Sequence, residues 1–326
     1  MKKTAQPKNM KLLLLLVPIL GVLAISGCTG SSGISYGNGL VILNWEPTFS
    51  SVESGDNIQL RIRVQNNGGQ TIPDAYAVLS GINVQEWKIS SGKSEAIDLG
   101  QLLPPNPSQN TAGEIRQDTY NLFAPPLPKG ITQSYSPSIR IFYSYVTEAV
   151  KPITLVNENE LKRLQDSGDT LPTRDTQTTA GPLKVTVNTG KFIKAKEGGT
   201  TADFLRTNTF PITIVIENTG GGVVSRDPKE MKVLITKSFN FKDDYMVNVE
   251  IIIPTTSGFE IVNCGTYGTA KEFDVQLWKG QSTSITCEMK LRTPLPMASR
   301  EENIKIMLGY NYYIDSTTTV SVIGTQ

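Results

Sequence analysis

The chain contains no histidine. That excludes the Ser-His-Asp and Cys-His arrangements of hydrolases and the usual histidine-bearing zinc sites, because each needs an imidazole to move a proton or hold the metal. Cysteine is scarce as well, at three residues, and none stands in a CxxC-type metal spacing. No charge of one sign dominates: 31 Lys and Arg face 30 Asp and Glu, so nothing in the balance points to nucleic acid. Helical periodicity is nearly absent. Glycosylation sequons are missing too, since Asn106-Pro107-Ser108 is disqualified by its proline, and that favours a small accessory component over a heavily glycosylated coat.

What the chain does have begins at its start. Lys2, Lys3, Lys8 and Lys11 precede any acidic residue and lead into an apolar run from Leu12 to Ile25, broken by Pro18 and Gly21. This is the charged region and short apolar core of a secretory signal. Its helical length is about 21 Å, short of the roughly 30 Å hydrocarbon core of a membrane. Ile25-Ser26-Gly27-Cys28 closes the run and resembles the lipobox of prokaryotic lipoproteins, an aliphatic residue and two small ones before a cysteine. In that family the signal is cut before the cysteine and the thiol is lipidated. The resemblance therefore implies a signal peptide at 1–27, lipidation at Cys28, and a Gly/Ser-rich flexible tether at 28–39. The alternative is an uncleaved signal anchor. Either way the chain is expected at the cell membrane, facing the extracytoplasmic side. Without residues 1–27 it carries 27 basic against 30 acidic residues, a net of −3.

The other two cysteines, Cys264 and Cys287, are 23 residues apart in strand-like segments. In an oxidising compartment the expectation is a disulfide, between neighbouring strands or across a sandwich; two unpaired buried thiols are the alternative.

Most of the remaining chain reads as short strands rich in Val, Ile, Thr and Tyr, separated by Gly, Pro, Asn and Asp. Expected strands include Leu40–Trp45, Ile58–Val64, Ala75–Leu79, Ile139–Tyr145, Leu183–Val187, Ile212–Ile216, Met231–Ile235, Val247–Ile253, Phe273–Leu277, Thr283–Leu291 and Ile304–Tyr313. In "IQLRIRV" Ile58, Leu60, Ile62 and Val64 alternate with Gln59, Arg61 and Arg63, the pattern of a sheet with one dry face. One helix is expected at 157–166, where Asn157 can cap the first turn and Glu160 holds the reciprocal capping position. Ser167 to Gly181 reads as a linker.

A repeat runs through the sequence. "IQLRIRVQNNGGQTI" (58–72) and "FPITIVIENTGGGVV" (210–224) share an alternating strand, then Asn66 or Asn218 with a glycine-rich turn. Later, "SIRIFYSY" (138–145) aligns with "NIKIMLGY" (303–310), equating Tyr145 with Tyr310. The fold class is thus all-β, two tandem immunoglobulin-like sandwiches at 40–156 and 182–326 joined by the helix and linker at 157–181. The N-x-G turns are expected to reverse an edge through positive φ at glycine.

"SVESGDNIQLRIRVQNNGGQTIPDAYAVLSG" and "LWKGQSTSITCEMKLRTPLP" resemble the immunoglobulin-like modules of prokaryotic envelope proteins of the CARDB and NEW3 kind. The second half fits that pattern. The first departs from it between Ile97 and Lys129, where an insertion or longer loop is expected.

Chemistry-bearing candidates are few. Asp243-Asp244 could gather calcium with Asp227 or Glu250, but no regular oxygen-ligand loop is present, so no metal and no cofactor are expected. "NTGGG" (218–222) lacks the Lys-Ser/Thr of a phosphate loop. Tyr143, Tyr145, Tyr310, Tyr312 and Tyr313 with Trp87 or Trp278 could build a glycan or peptide platform. The first four fall on the inward parity and are expected in the core; Tyr313 is expected outward. With no catalytic residues assigned, the leading expectation is a non-catalytic structural or protein-interaction module whose partners are the membrane and other envelope proteins. A glycan- or metal-binding surface lipoprotein is the alternative.

Overall fold

The computed structural model describes residues 37–89, 95–195, 208–225, 245–255, 257–292, 295 and 298–325. The expected signal peptide, the lipobox-like Ile25 to Cys28, the strand expected at 231–235 and the carboxylates Asp227, Asp243 and Asp244 lie outside them.

The first half of the chain supplies β1 (Leu40–Pro47), β2 (Ser51–Glu53), β3 (Asn57–Asn66), β4 (Ala75–Ser80), β5 (Ala96–Asp98), β6 (Ile115–Phe123), β7 (Thr132–Tyr135) and β8 (Ser138–Asn157). A helix, α1 (Glu158–Ser167), follows. Next come β9 (Gln177–Thr178), β10 (Leu183–Asn188), β11 (Ile193–Ala195), β12 (Thr209–Asn218) and β13 (Val223–Ser225). The last are β14 (Met246–Ile252), β15 (Phe259–Asn263), β16 (Glu272–Gln276), β17 (Ser282–Leu291), β18 (Ser299–Thr317) and β19 (Val320–Ile323).

The chain is an all-β protein built of packed sheets. β3 and β12 are the alternating strands of the repeat, and each is central in a small sheet, β1-β3-β6 in one half and β10-β12-β17-β15 in the other. Their dry faces, Ile58, Leu60, Ile62 and Val64 in β3 and Ile212, Ile214 and Ile216 in β12, are fully buried. Each such side chain contributes about 1.5–3 kcal/mol by leaving water.

The partner layer is one long sheet ordered β16-β14-β18-β8-β4-β5, with β9, β11 and β13 attached to it. Its spine is the antiparallel pair β8 and β18, in register from Ser138↔Thr317 to Val156↔Ser299. In the first half the layers are tied across the core where the Tyr120 hydroxyl of β6 donates to Ala77 O of β4 at 3.0 Å. Trp45 of β1 stacks edge-on to that ring.

The halves at 40–156 and 182–326 are joined more closely than a linker alone would join them. They share the long sheet, and the final strand β19 runs between β2 and β7 of the first half. The described residues all belong to one compact unit.

Three local readings are amended. The stretch Ile97 to Lys129, expected as an inserted loop, contains β6, the full-length partner of β3. Its alternation is hidden because the outer part of the strand is exposed and polar, with Tyr120 and Leu122 alone turned into the core. The end of the expected linker pairs with β8 as β9, and Thr178 Oγ1 donates to Val185 O, stitching it to β10. At α1, Asn157 Oδ1 accepts from Glu160 N at 2.8 Å as expected. The reciprocal bond does not form, because Glu160 is held by Arg163 at 2.7 Å and Asn157 N donates to Ala298 O.

Candidate functional site

The register of β8 and β18 places Tyr145 opposite Tyr310 and Tyr143 opposite Tyr312. Residues two apart on a strand share a face, so the four rings gather on the inner side of the long sheet, with centroid separations between 5.8 and 6.3 Å. All four are buried, in agreement with their inward parity.

Their hydroxyls reach the turns of both halves. Tyr145 accepts from Gln70 N at 3.2 Å and donates to Ala180 O at 2.7 Å. Tyr312 accepts from Gly222 N at 2.9 Å and donates to Asn218 Oδ1 at 2.7 Å. Tyr310 accepts from Leu183 N at 3.2 Å and is hydrogen-bonded to Thr147 Oγ1 at 2.7 Å. Tyr143 faces the Leu40 backbone without a hydrogen bond of good geometry. Burial pushes the Tyr145 hydroxyl up to about 12 and raises those of Tyr143, Tyr310 and Tyr312 above the ordinary tyrosine range.

These bonds correct the repeat. Leu40 opens β1 as Leu183 opens β10, and Gln70 follows Asn66 as Gly222 follows Asn218. By hydroxyl partner, Tyr143 therefore corresponds to Tyr310 and Tyr145 to Tyr312, a shift of two residues from the sequence alignment. The alignment followed the Ile-x-Ile match, whereas the packing follows what each hydroxyl touches.

The two asparagines are placed alike. Asn66 Nδ2 donates to Gln70 O at 2.9 Å and Leu102 O at 3.0 Å, and Asn218 Nδ2 donates to Gly222 O and Gly280 O, both at 3.0 Å. The turns they organise are not hairpins. β3 leads from its small sheet into β4 of the long sheet, and β12 leads into β13, likewise on the long sheet. Nor do Gly68 and Gly220 serve through positive φ, which neither adopts. A Cβ on Gly68 would fall 2.1 Å from the Tyr145 hydroxyl, and one on Gly220 2.5 Å from that of Tyr312. The glycines are there because the tyrosines press on the backbone.

The first described residues lie across the same turns. Gly37 N donates to Asn67 O at 2.5 Å, Asn67 N to Gly39 O at 2.9 Å, and Asn38 Nδ2 to Thr219 O at 3.0 Å. Next to them, the turn that meets Asn218 through Gly280 carries Trp278, 74% exposed, with Lys279 Nζ 5.8 Å from its ring centroid. The turn that meets Asn66 through Leu102 carries Leu103, 53% exposed.

Of the platform aromatics, Trp278 alone is open. Trp87 is buried against Tyr135. Tyr313 does point to the opposite face, as its parity requires, but it is covered there and only 6% exposed. Phe142 packs on it at 5.4 Å, and the Arg140 guanidinium lies 4.1 Å over its ring while pairing with both Asp315 oxygens at 2.7 Å. The pairing of Arg140 with Asp315 requires the β8–β18 register, which no local pattern contains.

Cys264 and Cys287 are joined in a disulfide. It links β17 to the end of its neighbour β15, the adjacent-strand form of the expectation. Among the described residues no three His, Cys, Asp or Glu side chains are grouped to hold a metal. Glu250 sits in β14, across from Glu272 and Met307. A groove of about 490 Å³ runs past Asn188, Phe192, Phe210 and Leu291; the one charged side chain among its described lining, Lys194, is paired with Glu158 at 3.0 Å.

No known family and no curated protein matches the chain. Among solved structures, the sporulation control protein Spo0M of Bacillus subtilis is similar at 8% identity over 56% of this chain and 69% of that one, with a TM-score of 0.19. A Salmonella alpha-2-macroglobulin mutant is similar at 8% identity and a TM-score of 0.23; the match covers 88% of this chain but spans only 23% of that one. The collagen adhesin of S. aureus follows at 9% identity over 89% and 95%, with a TM-score of 0.12. None of these likenesses bears on function, and the fold rests on the strands themselves.

Proposed function

We propose that the protein is a lipid-anchored, non-catalytic component of a prokaryotic cell envelope, with CARDB-like immunoglobulin modules that face the extracytoplasmic side and dock another envelope protein. The observation that carries this reading is the disulfide between Cys264 and Cys287. Such bonds persist in oxidising compartments outside the cytosol, which supports the export that the basic start, the leucine run and Ile25-Ser26-Gly27-Cys28 imply. The inward placement of Tyr143, Tyr145, Tyr310 and Tyr312 favours a structural use of these rings over a glycan platform. Crosslinking in intact membranes of an expressing prokaryotic host tests the reading. The wild-type chain stays with the membrane and crosslinks to a discrete envelope protein, and Cys28→Ala loses both. A wild-type chain recovered in the soluble fraction overturns it.

A further inference from the structure

The geometry points to a second membrane contact: the turn tip at Trp278 and Lys279, with Leu103 at the equivalent turn of the other half, rests on the lipid surface to which Cys28 is tethered. This rests on the anchor reading and adds to it an orientation of the folded unit.

Gly37 and Asn38 are bonded to Asn67 and Thr219. One residue earlier in each turn, Asn66 donates to Leu102 O and Asn218 donates to Gly280 O. Two exposed apolar tips, Trp278 and Leu103, therefore flank the place where the tether leaves.

The tether is short. From Cys28 to Gly37 are nine residues, which span at most about 32 Å when fully extended and average roughly 17 Å in a Gly/Ser-rich coil. A lipidated Cys28 then holds these turns within one tether length of the headgroups, and the second contact becomes intramolecular.

The residues suit that surface. Tryptophan concentrates at membrane interfaces, where an apolar ring and an indole N–H each find a partner. Lys279 brings a cation over the same ring, which anionic headgroups favour by about 1 kcal/mol. Arg116 donates to Gln101 O beside the Leu103 turn. A single acyl chain binds a bilayer marginally, so an aromatic foothold lengthens residence and fixes which face of the sandwiches looks outward.

Tryptophan emission reads this directly, because Trp45 and Trp87 are buried and Trp278 is exposed. The full chain, with its state at Cys28 established by intact mass, is reconstituted into phosphatidylcholine–phosphatidylglycerol vesicles with and without brominated acyl chains. Bromolipid quenching is expected in the wild type, absent in Trp278→Ser, and weakened about fivefold or more in partitioning terms by Lys279→Glu. Equal emission with and without bromolipid overturns the contact. So does Trp278 that is unquenched in vesicles but shielded in native membranes, which assigns the tip to a protein. An uncleaved chain without lipid whose Trp278 is still quenched keeps the contact and removes the anchor reading alone.

Discussion

Tyr145 and Tyr312 stand in equivalent places in the two halves of the molecule, each accepting a hydrogen bond from the residue four positions after a turn asparagine, Gln70 N at 3.2 Å and Gly222 N at 2.9 Å. The β8–β18 pair thus carries an internal two-fold relation, and the glycine-rich turns of both halves close on it.

The hydroxyls should differ in weight. Tyr312→Phe leaves Asn218 Oδ1 and Gly222 N without this partner and should cost about 1–3 kcal/mol. Tyr143→Phe removes a hydroxyl that makes no good hydrogen bond and should stay within about 0.5 kcal/mol. Urea unfolding of the two variants checks the difference.

Gly220→Ala should destabilise by about 1–3 kcal/mol through overpacking, because its methyl meets the Tyr312 hydroxyl at 2.5 Å. In a Tyr312→Phe background the nearest remaining contact is Pro182 at 3.1 Å, so the same substitution should cost less. A double-mutant cycle measures the coupling.

Alkali should unfold the protein through the same cluster. Burial holds these protons more tightly in the native state, so the contribution is complete below pH 10, the ordinary tyrosine value, and drains away as the pH rises through about 12, where Tyr145 ionises. Circular dichroism and tyrosinate absorbance, followed together, should move in that window, and Tyr145→Phe should shift the transition upward only if its lost hydrogen bonds are compensated.

Reducing Cys264–Cys287, which closes a 23-residue separation, should cost about 3 kcal/mol. Chemical denaturation with and without reductant, beside Cys264→Ser/Cys287→Ser, gives the figure.

Ending the chain at Thr318 should damage the opposite half of the molecule. Val320 and Val322 are fully buried between β2 and β7, and their loss should cost about 3 kcal/mol or more. Hydrogen exchange should quicken in β2 and β7 while β12 and β17 keep their protection.

Much of the fold was legible where one strand carries its own pattern. Ile58 to Val64 alternates without exception, Ile212 to Ile216 does so apart from Val215, and Ile139 to Tyr145 declares which rings face inward. β6 and β7 were not legible, because an exposed strand such as Thr132–Tyr135 owes its form to its partner β19 and not to its own side chains. At Gly68 and Gly220 the sequence suggests backbone freedom alone, since the tyrosines that exclude a side chain there, Tyr145 and Tyr312, lie 77 and 92 residues further along the chain. For Tyr313 the sequence shows direction but not cover, since Arg140 and Phe142 meet it only through the long-strand register.

The most direct measurement of the central claim is the intact mass of the chain extracted from membranes of a prokaryotic host, beside Cys28→Ala. The anchor reading requires loss of residues 1–27, added lipid mass on Cys28, and no such species in the variant. A full-length chain without an adduct, held in the membrane equally well with alanine at position 28, contradicts it and makes the leucine run the anchor.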